Sequence, residues 1–140
     1  MVDWVRVAAI TGLFLDGVTT WYVLANDDYV EFNPILDGLW TVHPLLVAAY
    51  FGGVGLIVGT GCTRRLGWLS TALAVYVAVV MGVFGGLNNL ELITLGAPSF
   101  LGMLADLSGV SGPRLTLYAI PSVGIVAGLG VARLRHGQLS

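Results

Sequence analysis

Four stretches of this chain are long and apolar enough to be membrane spans, and no other sequence feature limits its fold as strongly. They run from about Trp4 to Ala25, His43 to Gly61, Leu66 to Leu87 and Leu115 to Leu134. A helix needs about 20 predominantly apolar residues to traverse the hydrocarbon core of a bilayer. The first stretch is interrupted by Asp16, the middle two carry no charge, and the fourth contains Pro121 and Gly124. Charged residues make up 10% of the sequence, where soluble domains use about 25%. So few charges cannot cover a water-facing surface, whereas lipid does not require them. The expectation is an all-α fold: an integral membrane bundle of four transmembrane helices forming one domain over residues 1–140.

The segment from Leu92 to Val110 is apolar but carries Gly96, Pro98, Gly102 and Asp106. A full span there would put the two chain ends on opposite sides. A short interfacial or re-entrant helix from about Ser99 to Leu107, with Pro98 in its first turn, is the expected alternative. Arg placement then sets the orientation, because short cytoplasmic loops retain basic residues. Arg6, Arg64, Arg65, Arg133 and Arg135 fall on one side and Arg114 alone on the other. This places both termini on the cytoplasmic side of a cell membrane. Asp27, Asp28, Glu31, Asp37, Glu91 and Asp106 fall on the opposite side. Acidic outer segments without any Lys resemble the composition of proteins from salt-loving archaea. Asp16 and Gly17 inside the first apolar stretch argue for a retained helix and against a cleaved signal peptide.

Several functions are disfavoured directly. The lone Cys62 excludes an internal disulfide and a multi-Cys metal site. A net charge of -2 leaves no basic stripe for nucleic acid. No zinc-protease motif and no Ser-x-Lys or Gly-x-Asp protease pair is present, and His43 and His136 fall at opposite faces. No catalytic residue, metal site or cofactor is therefore expected. Gly-x-Gly runs inside the spans are packing surfaces and not phosphate loops. Gly55 and Gly59, the Gly82, Gly85 and Gly86 group, and Gly124 with Gly128 give the helices smooth faces for close approach. Such faces serve a single bundle, or a homo-oligomer or larger membrane complex embedded in the lipid bilayer.

Chemistry concentrates around Asp16. Near the bilayer midplane a carboxylate costs about 2.5–3.5 kcal/mol on an insertion scale, so it is expected to face the bundle interior. Thr19 and Thr20 follow at i+3 and i+4, on the same helix face. Their hydroxyls can donate to the carboxylate or fold back to the i−4 carbonyl. Glu31-Phe32-Asn33-Pro34 then follows a short acidic turn, with Pro34 suited to opening a helical turn. Asn88, Asn89 and Glu91 reach the same level from the third stretch, with Tyr50 and His43 within range on the second. The candidate polar or ion cluster is Asp16, Thr19, Thr20, Glu31, Asn33, Asn88 and Asn89.

Leu15-Asp16-Gly17-Val18-Thr19-Thr20, then Glu31-Phe32-Asn33-Pro34, then Asn88 at the end of the third stretch resembles a family of small archaeal and bacterial membrane proteins. That family is catalogued as domain of unknown function 5658. The resemblance runs from the first helix through the third. It implies a multi-pass helical fold and marks the same residues, but it implies no activity. Three readings follow from the residues. The first is a structural or accessory bundle with Asp16 as a buried polar anchor. The second is an ion- or proton-binding transport component using Asp16, Glu31 and the Asn side chains. The third, ranked below both, is an intramembrane enzyme with paired carboxylates.

Overall fold

The computed structural model describes residues 3–26, 28–29, 31–60, 67–96 and 99–137. Asp27, Cys62, Arg64, Arg65 and Pro98, singled out above, lie outside these residues. Everything regular among them is helical, with no strand. We label the helices α1 (Trp4–Leu24), α2 (Pro34–Val42), α3 (Pro44–Thr60), α4 (Gly67–Leu95), α5 (Phe100–Ser108) and α6 (Gly112–Arg135). Three of them, α1, α4 and α6, are long and apolar enough to cross a membrane. The expected second span is shorter, since α3 has 17 residues, or roughly 25 Å at 1.5 Å per residue.

The expected boundaries moved for local reasons. His43 sits at φ −168°, ψ 128° because the residue before a proline avoids helical geometry. Pro44 then restarts the chain as α3, and the preceding Pro34–Val42 becomes a separate short helix, longer than the single turn anticipated. The Asn33 side chain accepts from the Ile35 N–H at 3.0 Å and Pro34 occupies the first turn, which starts α2. The third stretch does not stop at Leu87 but continues to Leu95. Asn88 and Asn89 read as an end because they are polar, yet they are buried and stay helical. Gly96, at φ +81°, is where α4 stops. The segment 92–110 is thereby divided: its start belongs to α4, and α5 follows with Ser99 as its N-cap.

Close contacts at glycines define how the helices run. Gly12 of α1 lies against Gly82 of α4, and the Asp16 carboxylate against Gly85. Asn89 meets Thr20 one turn further along. Positions rise together on both helices, so α1 and α4 are parallel. Gly17 meets Phe51 and Gly55 meets Leu13, so α3 is antiparallel to α1. Gly128 meets Ala72 and Gly124 meets Tyr76 and Val80, so α6 is antiparallel to α4. A core of Ala9, Leu13, Val58, Ala74, Val77 and Met81 fills the space between α1, α3 and α4.

The chain ends meet at one end of the bundle. Asp3 pairs with Arg6 at 3.4 Å and with Arg135 at 3.5 Å. Arg6 also donates to the Ser70 hydroxyl. At the far end lie α2, α5 and most of the described carboxylates. Where α4 presents its glycines to α1, residues Ala78–Leu87 are π-helical, a wider winding often found at functional sites. Leu115–Ala119 of α6 is π-helical too, ending two residues before Pro121. The proline thus falls at a change of winding, and Ser122 Oγ donates back to the Tyr118 carbonyl at 2.7 Å.

The α1–α4 seam gives the first prediction. A Cβ at Gly12 would stand 2.6 Å from Gly82 Cα, with only backbone to displace. Gly12→Leu should lower stability by about 1–3 kcal/mol, the usual cost of overpacking. Gly38, exposed on α2 with nothing within 4 Å, is the control. Gly38→Ala should be neutral or stabilising by up to about 1 kcal/mol through helix propensity. Thermal melts of both variants in mild detergent check the pair.

Candidate functional site

Asp16 is 5% exposed and Thr20 is 1% exposed. Thr20 Oγ1 donates to Asp16 Oδ1 at 3.1 Å and accepts from Asn89 Nδ2 at 3.0 Å. One hydroxyl thereby links the carboxylate on α1 to the amide on α4. No side chain at position 85 would leave the carboxylate in place. A Cβ there would lie 2.4 Å from Oδ1 and 2.6 Å from Oδ2. Among the described residues, Thr20 gives the Asp16 side chain its one hydrogen bond, so Oδ2 has no donor.

The Glu31-Phe32-Asn33-Pro34 turn is built residue by residue. Glu31 Oε1 accepts from the Asn33 N–H at 2.7 Å. The Phe32 ring packs on Gly112, and the Phe32 carbonyl accepts from Thr116 Oγ1 at 2.8 Å, which ties the turn to α6. Asn33 caps α2, and Pro34 is its first residue. Glu31 Oε2 is buried without a hydrogen-bond donor, alone in this among the described residues. Burial raises the Glu31 pKa well above the ordinary carboxylate range; the Asn33 N–H opposes this, and the Asp37 charge reinforces it.

Both carboxylates open onto one cavity of 1020 Å³. Its polar lining includes Asp16, Thr20, Glu31, Asn33, Asn88 and Asn89, and it reaches exposed Asp28 and Asp106. Away from them its wall is apolar, formed by residues such as Val54, Ile57, Val58 and Leu73. Tyr50, Tyr76 and Phe84 also line it. None of the described residues lining it is basic. Asp16 and Glu31 are near enough to repel each other, as their separate elements converge on this space.

Six of the seven candidate residues therefore line one cavity, but their roles divide. Thr19 departs from the group. Its hydroxyl folds back to the Leu15 carbonyl at 2.8 Å, the alternative open to a helical threonine. Asn88 does not address Asp16 but accepts from the Leu101 N–H at 2.9 Å. Glu91 accepts from the Phe100 N–H at 2.9 Å, and Ser99 from the Gly102 N–H at 3.4 Å. Three side chains thus satisfy the free N–H groups at the start of α5. Asn33 serves α2, and only Asn89 reaches Asp16, through Thr20. His43 stays outside the cavity, exposed, its Nδ1 accepting from the Leu45 N–H at 3.2 Å.

The residues not foreseen are Tyr76, Phe84, Ser99 and the specific part played by Gly85. Tyr76 is the one polar side chain between Ala72 and Leu87 of α4, and that contrast was its available signal. Gly85 was visible only as part of a smooth face. No protein family, characterised protein or solved structure matches the chain.

Burial of Glu31 has a measurable consequence. The folded protein holds the Glu31 proton to higher pH than the unfolded chain, whose value is near 4.5. As pH rises past that value the folded state binds more protons than the unfolded one, so stability falls over that window. Asp37 faces the same group and adds its own charge. Glu31→Gln should flatten the decline of melting temperature between mildly acidic and neutral pH. An unchanged slope would show that Glu31 is not buried as described.

Proposed function

We propose that this chain is a multi-pass membrane protein whose cavity binds a positively charged occupant between Asp16 and Glu31. Three helices have the length and apolarity for a crossing. Three crossings alone would separate the chain ends, yet Asp3 pairs with Arg135. The antiparallel α3 supplies the remaining pass, so the reading is of four crossings with both ends on one side. The end carrying Arg6, Arg133 and Arg135 is the cytoplasmic one on the positive-inside rule. The likeness of the Asp16–Thr20 and Glu31–Pro34 motifs to domain of unknown function 5658 agrees with this reading and belongs to it as a proposal.

One observation carries the binding function: two carboxylates, each with an oxygen lacking a donor, line one cavity with no basic residue among its described lining. A purely structural carboxylate would have its acceptors satisfied, because an unpaired buried polar atom such as Glu31 Oε2 costs about 1–3 kcal/mol. The Asn89–Thr20–Asp16 link shows what anchoring looks like, and it uses only Oδ1. The ion- or proton-binding reading is therefore preferred to the accessory-subunit reading.

A hydrophobic carbodiimide tests this, since it reaches carboxyls from an apolar phase and modifies them covalently. Protein in nanodiscs should be labelled at Asp16 and Glu31, as located by peptide mass spectrometry. Cationic solutes should protect both sites, and neutral solutes of equal size should not. Absence of labelling at both residues would refute an accessible cavity, and failure of every cation to protect would refute the binding function.

A further inference from the structure

Resting on that reading, we infer that the occupant is an organic amine in its protonated, N–H-bearing form, with an apolar body that fills the far part of the cavity. Size is the first argument. The cavity measures 1020 Å³, at the upper end of the roughly 300–1,000 Å³ typical of small-molecule sites. A bare ion would leave nearly all of it unfilled. The donor set is the second argument. No group of three or more His, Cys, Asp or Glu side chains among the described residues is arranged to hold a metal ion. A hard cation such as Ca²⁺ takes about 6–8 oxygen ligands. Here Thr20 Oγ1 is occupied by Asp16 and Asn89, and Asn88 Oδ1 by Leu101.

The distribution of chemistry along the cavity gives the third argument. Carboxylates lie in one part, while Val54, Ile57, Val58 and Leu73 form a wall without charge. An inorganic cation has no use for that wall, whereas an amphipathic amine gains by burying its apolar body there. Tyr50, Tyr76 and Phe84 add aromatic faces to the lining. Aromatic faces attract ammonium groups, more strongly as water is excluded. Anionic amphiphiles are excluded by the same lining, which presents Asp16, Asp28, Glu31 and Asp106 and no described basic side chain.

The free oxygens sharpen the class. Asp16 Oδ2 lacks a donor, so an ammonium carrying N–H groups satisfies it and a quaternary ammonium does not, while Glu31, whose free oxygen is enclosed by protein, contributes charge. Gly85 sets the geometry by letting the Asp16 carboxylate lie flat on the α4 backbone. The carboxylate stays where a ligand nitrogen can reach it.

The experiment compares phenylbutylamine with phenylbutanol, with the N,N,N-trimethyl derivative of the amine, and with NaCl, MgCl2 and CaCl2 at matched ionic strength. Each is added to nanodisc-embedded protein before carbodiimide labelling, and modification of Asp16 and Glu31 is quantified. The amine should protect at a concentration about tenfold below that of the trimethyl derivative, the difference expected of a charge-assisted hydrogen bond. The alcohol should not protect. Protection by an inorganic cation at equal or lower concentration, or equal protection by amine and alcohol, would overturn the amine assignment while leaving a cavity with reactive carboxyls. Absence of labelling in the ligand-free protein would instead overturn the binding function itself.

Two variants complete the test. Asp16→Asn should abolish protection of Glu31 by the amine. Ile57→Trp keeps both carboxylates, and Ile57 is half-exposed and tolerant of a larger side chain. It should leave labelling intact and weaken protection by phenylbutylamine about tenfold, because the indole takes up space that the apolar body would fill. Unchanged protection in Ile57→Trp would overturn the placement of the apolar body.

Discussion

The rest of the site depends on the hydroxyl of Thr20. It donates to Asp16 within α1 and accepts from Asn89 across to α4, so one side chain fixes both the carboxylate and the helix register. The backbone allows this because α1 and α4 meet through Gly12, Gly82 and Gly85. Any larger residue at these positions would hold the helices apart and put Asn89 beyond reach of Thr20. The glycines and the polar link are therefore one device, in which close backbone approach makes a short hydrogen-bond chain available to a buried carboxylate. A charged group so buried is costly. The chain satisfies half of it and leaves the other half facing the cavity.

The second carboxylate arrives by a different route. Glu31 is placed by the turn between α1 and α2, in which each of the four motif residues has a distinct contact. Phe32 binds the turn to α6, Asn33 and Pro34 start α2, and Glu31 braces Asn33 with one oxygen. At the same end, Asn88 and Glu91 of α4 hold the start of α5. The cavity is thus framed by loops and short helices pinned to the long ones, with side-chain caps in place of extensive packing.

Much of this was legible in the sequence. Asp16 with Thr20 at i+4 announced a directed polar patch, since helical periodicity alone puts them together. Glu31, Asn33 and Asn89 were placed at the right end of the bundle by counting residues. Ser99 to Leu107 foretold α5 within one residue. The polar residues Asn88 and Asn89 misled, because hydropathy treats an amide as the end of a span, while in the fold these amides serve inside it. Thr19 was indistinguishable from Thr20 by spacing, and only its rotamer separates them. Tyr76 and the exact partner of each glycine depend on how α1, α4 and α6 dock, and no local pattern encodes that.

The link through Thr20 can be measured directly by a double-mutant cycle. Thr20→Val, Asn89→Leu and the double variant would be compared with the parent by reversible unfolding in mixed micelles. A coupling energy of about 0.6 kcal/mol or more between the two positions is expected, the scale of interhelical hydrogen bonds in membrane proteins. Strict additivity of the two substitutions would contradict the arrangement on which the cavity and its carboxylates depend.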